Sequence, residues 1–178
     1  MNRLILFIVL LLPAIFLLYN ILVVEAKAGS GKTLLAISGA LKLIRHKVNQ
    51  RIIYVRNSIE SLDKGEDVGY LPGLEEKFKI YNHPLMDSLD YIIRSEHKKK
   101  NTNRKNTETY TELDDQEVTL RIEQMIKNYG IETMWVGEMR GRTISNAVVI
   151  VDEAQNMSNK TMQMVLSRVD SSCKVVIL

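Results

Sequence analysis

Aliphatic and polar positions alternate along this chain in blocks that read as an α/β domain. Residues 21–25 (ILVVE) read as a short buried strand, followed by the small polar stretch AKAGSGKT. Leu34, Leu35, Ile37, Ala40, Leu41 and Ile44 then recur at helical spacing. Residues 51–56 (RIIYVR) form a β-branched run about one crossover helix later, so the first two strands are predicted to lie parallel. Gly65, Gly69 and Gly73, within and before GYLPG, mark a loop, and residues 74–89 resume a broadly helical pattern. Residues 118–129 read as a helix closed by Gly130. Residues 147–151 give a third strand as a continuous aliphatic run, and residues 158–169 an amphipathic helix with Ser158 at its N-cap. Residues 174–178 begin a fourth strand.

Between these blocks, residues 94–106 (RSEHKKKNTNRKN) carry six Lys or Arg against one Glu, and residues 108–117 turn acidic. Such a stretch lacks the apolar surface to offset its own ordering, so a solvated insertion near residues 94–117 is expected. No aromatic residue interleaves the lysines, although a nucleic-acid contact is the sharper alternative. Composition is otherwise that of one globular domain: 178 residues, 46% hydrophobic and 25% charged. The net charge of +3 permits a polyanionic partner without arguing for one. Cys173, the single cysteine, lies in the apolar run CKVVIL and reads as a core residue in a reducing compartment.

The first twenty residues form a separate apolar segment. Residues 4–24 are nearly uninterrupted in hydrophobicity, which is enough length to span a bilayer and also resembles a signal peptide. Residues 21–24 are needed as the buried strand before the glycine loop, so an apolar N-terminal helix used as a membrane anchor would be confined to residues 4–18. The alternative is an aberrant start to a cytoplasmic protein.

The chemistry concentrates in two motifs. In AKAGSGKT, glycines allow the backbone to approach and curl around phosphates, whose charge is met by successive N–H groups and a helix N-terminus. The phosphate-binding set is then Ala28, Gly29, Ser30, Gly31, Lys32, Thr33 and Leu34. Lys32 would reach the β- and γ-phosphates, and the Thr33 hydroxyl would ligate Mg²⁺. The motif opens on Ala26 where glycine is usual. Asp152 ends the aliphatic run of residues 147–151, at the carboxyl end of a strand where open α/β sheets bind ligands, and is the second candidate Mg²⁺ ligand. Glu153 beside it is the candidate to polarise water, and Gln155 to sense the γ-phosphate. Arg140, Arg142 and Arg168 are candidates to neutralise charge on the transferred phosphoryl group, and Arg142 and Arg168 are the two expected to be catalytic. These motifs predict binding of ATP or GTP with Mg²⁺.

With those residues in place, the chain resembles the PhoH-like family from about residue 21 to residue 178. The resemblance rests on AGSGKT, on VRNSIE leading to VGYLPGLEEK, on MRGRTISNAVVIVDEAQN and on LSRVDSSCKVVIL. It implies a three-layer P-loop NTPase fold with a mainly parallel sheet and a core similar to that of superfamily-one helicases. It also implies ATP as the nucleotide, a connection in name with phosphate starvation, and a role in RNA metabolism. Family cores continue into a Gly-Asp sensor motif and at least one further strand, so one or more C-terminal strands are expected to be missing and the strand before the glycine loop left at an edge. Family members are similar to soluble cytoplasmic proteins, which makes the segment before residue 21 look foreign.

Two classes of function follow. The first is an Mg²⁺-dependent ATPase, stimulated by single-stranded nucleic acid if it works as a helicase-type motor, with a homo-oligomer as a further expectation because one core rarely translocates alone. The second is a nucleotide-binding protein without turnover.

Overall fold

A computed structural model of the protein describes residues 18–56, 83–102 and 112–178. Residues 1–17 of the expected apolar N-terminal helix, the GYLPG loop and the start of the helical pattern at residue 74 lie outside the described residues. Five strands, β1 (Ile21–Val23), β2 (Arg51–Arg56), β3 (Ile131–Trp135), β4 (Ala147–Asp152) and β5 (Lys174–Ile177), form one sheet in the order β1-β5-β4-β2-β3. Every pairing is parallel. The helices are α1 (Lys32–Arg45), α2 (His83–Thr102), α3 (Asp115–Tyr129) and α4 (Asn159–Leu166).

The three layers follow from strand alternation. Ile52, Tyr54, Val148, Ile150 and Val176 pack with α1, with Leu85 and Leu89 of α2, and with the inner side of α3. The intervening residues Ile53, Val55, Val149, Val151 and Val175 point the other way, where α4 and the 3₁₀ turn of Val136–Met139 cover them. All six residues of β4 are buried, as a central strand between two helical layers requires. β1 is an edge strand, with Ile21 and Val23 exposed. Arg45, near the end of α1, ties the first layer together through Tyr129 of α3 (2.8 Å) and Glu96 of α2 (3.0 Å). Among the described residues no helix is long and apolar enough to cross a membrane.

Three expectations need correction. The strand IETMW, which becomes β3, was not anticipated. It begins one residue after the C-cap Gly130 of α3 and exposes Glu132, so its alternation is that of an edge strand and reads weakly. The runs of residues 147–151 and 174–178 are therefore the fourth and fifth strands. The lysine-rich stretch is not a loop over its first nine residues. α2 runs through Thr102, anchored by Leu85, Leu89 and Ile93, so apolar contacts made early in the helix carry its polar end. Likewise residues 115–117 of the acidic stretch belong to α3, whose N-cap Asp114 accepts from the Glu117 N–H at 2.7 Å. Finally, α4 stops at Leu166, three residues before the predicted end.

Candidate functional site

The carboxyl ends of β1, β5 and β4 lie side by side, and backbone hydrogen bonds fuse the loops that leave them. Val24 donates to Ile177 O (2.9 Å), Leu178 to Val151 O (2.9 Å) and Ala154 to Leu178 O (2.9 Å). The loop after β1 and the turn after β4 thus rise from one rigid platform, about two strand spacings apart. Between them and the first turns of α2 is a cleft of about 890 Å³.

The glycine loop forms one wall. Gly29 and Gly31 adopt φ of 72° and 84°, a left-handed backbone that side-chain-bearing residues avoid. This curl delivers the chain into α1 with Gly31 as its N-cap and no side chain capping the helix. α3 and α4 differ: Asp114 and Ser158 cap them. The first N–H groups of α1 therefore face the cleft with the positive end of the helix dipole, which is the arrangement that receives phosphate. All seven residues 28–34 line this cleft. The Lys32 ammonium folds back onto the carbonyls of Ala26 (2.7 Å) and Lys27 (3.3 Å), spanning the loop that it closes. Ala26, the departure from glycine, contributes its carbonyl to the closed loop and lines the cleft.

Opposite Lys32, Asp152 ends β4 and is 4% exposed. The Thr33 Oγ1 donates to its Oδ1 across 3.5 Å, linking the two motifs over 119 residues of sequence. The same Oδ1 accepts the Glu153 N–H at 3.1 Å, and Oδ2 accepts the phenol of Tyr54. Burial first, and then the Asp152 charge, push the Tyr54 pKa far above its ordinary 10.0, so it remains a donor. Thr33 and Asp152 are the oxygen pair that fits Mg²⁺, a hard ion bound through one or two protein oxygens together with substrate phosphates. Among the described residues there is no cluster of three or more His, Cys, Asp or Glu that would make an all-protein metal cage.

Glu153 has φ 55°, a left-handed backbone; Lys47 and Asn146 are the other non-glycine described residues with positive φ. Of these, Glu153 alone lines the cleft. Its carboxylate accepts from Gln155 Nε2, which fixes the side chain, and Asn156 Nδ2 approaches within 3.4 Å. Strain held at a carboxylate beside a phosphate loop is of the kind that marks catalytic groups. Gln155 also lines the cleft, so its position fits a sensing role, reached through Glu153.

Lys32, Thr33, Asp152, Glu153 and Gln155 therefore converge, whereas the two arginines do not. The carbonyl of Arg168 accepts the Ile144 N–H at 2.7 Å, three residues before β4 begins, whereas Asp152 lies at the far end of that strand, itself roughly 17 Å long at ~3.3 Å per residue. Its Nε is buried, with no hydrogen-bond partner among the described residues. Arg142 is exposed in the turn leading to β4 and, like Arg140, does not line the cleft. Sequence spacing missed this because residues 136–146 return from the carboxyl end of β3 to the amino end of β4. Conversely, Pro84, Asp87 and Ser88 of α2 form the far wall without any motif to announce them, and Ser88 donates to Pro84 O at 2.6 Å.

The glycine loop, its strand-end carboxylate and the parallel sheet are accompanied by a family match. The model for the PhoH-like protein family covers residues 11–178. The chain belongs to the PhoH-like family. It is 32% identical over 151 residues to a PhoH-like protein of Bacillus subtilis (strain 168), covering 84% of this chain and 39% of that one. A PhoH-like protein of Mycobacterium leprae is 34% identical over 151 residues (84% and 36%), and Protein PhoH of Escherichia coli (strain K12) 31% over 161 residues (85% and 36%). The chain thus spans well under half the length of these PhoH relatives. The PhoH match begins at residue 11, ten residues before β1.

Proposed function

We propose that the chain binds ATP with Mg²⁺ in the cleft between the glycine loop and α2, and hydrolyses it. The observation that carries this reading is the uncapped start of α1, with Lys32 on one side and the Thr33–Asp152 pair on the other. In this reading the α1 amides and Lys32 hold the phosphate oxygens, which take over from the Ala26 and Lys27 carbonyls as partners of the ammonium. Thr33 and Asp152 supply the protein oxygens to Mg²⁺, which when bound offsets charge on the β- and γ-phosphates. Glu153, oriented by Gln155, accepts a proton from water aimed at the γ-phosphorus. The choice of ATP over GTP rests on the motif resemblance, as does single-stranded RNA as a stimulating partner.

The test is a comparison of binding with release. Wild-type protein should take up ATP, more tightly with Mg²⁺ than without it, and should release phosphate only when Mg²⁺ is present. Lys32→Ala should lose both. Glu153→Gln should retain binding and lose about 10²–10⁴-fold in release, the ordinary contribution of a general base. Binding without release in the wild type would leave a nucleotide-binding protein without turnover, and absence of both would overturn the reading.

A further inference from the structure

Asp152 carries a requirement that its motif does not explain. A carboxylate on a short side chain has a broad terminal torsion, so a ligand that must present one oxygen needs the other held. Asp152 is almost fully buried at the end of β4, and its two oxygens are treated differently. Oδ1 faces the loop, with Thr33 Oγ1 at 3.5 Å and the Glu153 N–H at 3.1 Å. Oδ2 faces into the sheet, where Tyr54 meets it.

Tyr54 is 1% exposed in the middle of β2, one of the largest fully buried side chains. The β2–β4 register pairs Tyr54 with Ile150 and Arg56 with Asp152, so Tyr54 and Asp152 share a face as diagonal neighbours. Diagonal positions are within reach of an aromatic side chain. The ring packs in the cluster that holds Ile37 and Ala40 of α1, which leaves the phenol little freedom to choose another acceptor. A buried phenol needs a partner and a buried carboxylate needs a donor; here each supplies the other.

We propose that Tyr54 is a positioning residue for the metal ligand: its phenol holds Asp152 Oδ2 inside the sheet and so presents Oδ1 beside Thr33. The inference rests on the Mg²⁺–ATP reading and adds to it a residue that touches neither nucleotide nor metal. Groups that orient metal ligands in this way typically contribute 10–100-fold in metal affinity. Because the metal meets Asp152 and not Tyr54, losing the phenol should weaken metal uptake while leaving the phosphate loop intact.

The experiment uses Tyr54→Phe in the full chain, with Mn²⁺ as the probe. Free Mn²⁺ is followed by electron paramagnetic resonance during titration of the protein saturated with a non-hydrolysable ATP analogue. The expected result is a 10–100-fold weaker Mn²⁺ affinity, with analogue affinity in EDTA within about twofold of wild type. A purely structural phenol would lower thermal stability and leave Mn²⁺ affinity within twofold, and that outcome overturns the proposal. Should Tyr54→Phe fail to fold, 3-fluorotyrosine at position 54 keeps the hydroxyl. Its ¹⁹F resonance should shift when Mg²⁺ is added to the analogue complex, and an unmoved resonance overturns the proposal equally. Wild-type protein that takes up neither analogue nor Mn²⁺ overturns the Mg²⁺–ATP reading itself, a result separate from a Tyr54→Phe protein that binds like wild type.

Discussion

Two glycines with the same backbone hand but different surroundings allow strain and crowding to be measured apart. Gly130 closes α3 at φ 56° and ψ 48°, donates to Ile126 and Lys127 carbonyls, and leads within one residue into β3. A Cβ there would stand 3.2 Å from the Cβ of Arg51 and 3.7 Å from its Cα, and Arg51 is fixed in register against Ala147. Gly31, at φ 84°, would carry a Cβ with no atom within 4 Å. Each Gly→Ala change forces alanine into a left-handed backbone, at about 1–2 kcal/mol, less about 0.4–1 kcal/mol recovered from the stiffer unfolded chain. Gly31→Ala should therefore cost on the order of 0.5–1 kcal/mol, and Gly130→Ala should add about 1 kcal/mol for a contact that no side-chain rotation relieves. Urea unfolding followed by circular dichroism gives both values, and the difference should appear as roughly 2–4 °C in melting temperature. ATP binding should rank the variants the other way: Gly130→Ala binds normally, whereas Gly31→Ala, altered where phosphate meets the α1 amides, binds much less tightly. Equal stabilities for the two variants would refute the steric argument, and unimpaired ATP binding by Gly31→Ala would refute the placement of phosphate at this turn.

Three further outcomes test other parts of the structure. Ser158 caps α4 by accepting the Thr161 N–H at 3.2 Å, so Ser158→Ala should lower stability by about 1 kcal/mol in urea unfolding, with no change in the affinity of the cleft for ATP. The Tyr54 proton is retained in the folded protein, chiefly by burial, but is lost from the unfolded chain above its ordinary pKa of 10.0. Its stabilisation is complete below pH 10.0 and declines above it at up to about 1.4 kcal/mol per pH unit. Unfolding midpoints between pH 9 and 11.5 should therefore fall less steeply in Tyr54→Phe than in wild type. Cys173 is 1% exposed, and burial raises its thiol pKa, so a disulfide reagent at pH 8 should label it only when the chain is unfolded in urea. Rapid labelling of the native protein would show that the chain opens at the start of β5, although that strand is flanked by β1 and β4.

What was legible in the sequence divides along local and non-local lines. The glycine loop reads directly because its left-handed backbone at Gly29 and Gly31 and the helix beginning immediately after are written within a few residues. β2 and β4 read directly because strands buried on both faces are near-continuous apolar runs, here IIYV and AVVIV. β3 lies at the other sheet edge from β1, alternates in burial and carries Glu132, so its period competes with the helix before it. The polar end of α2 was misread for the same physical reason in reverse, since composition over residues 94–102 says nothing about the apolar anchor at Leu85, Leu89 and Ile93 that carries the helix onward. At the site, Lys32, Thr33, Asp152, Glu153 and Gln155 were assembled from motifs, but Arg142 and Arg168 were assigned by proximity in sequence to β4 and α4, and chain direction sets them away from the cleft. Tyr54 was beyond any such reading. A tyrosine in RIIYVR looks like any aromatic core residue until parallel register sets it diagonal to Asp152. Residues that bind phosphate through backbone leave local signatures, whereas residues that hold the binding groups in place are specified by register between strands nearly a hundred positions apart. That asymmetry is why the motif identifies the cleft and only the fold identifies what steadies it.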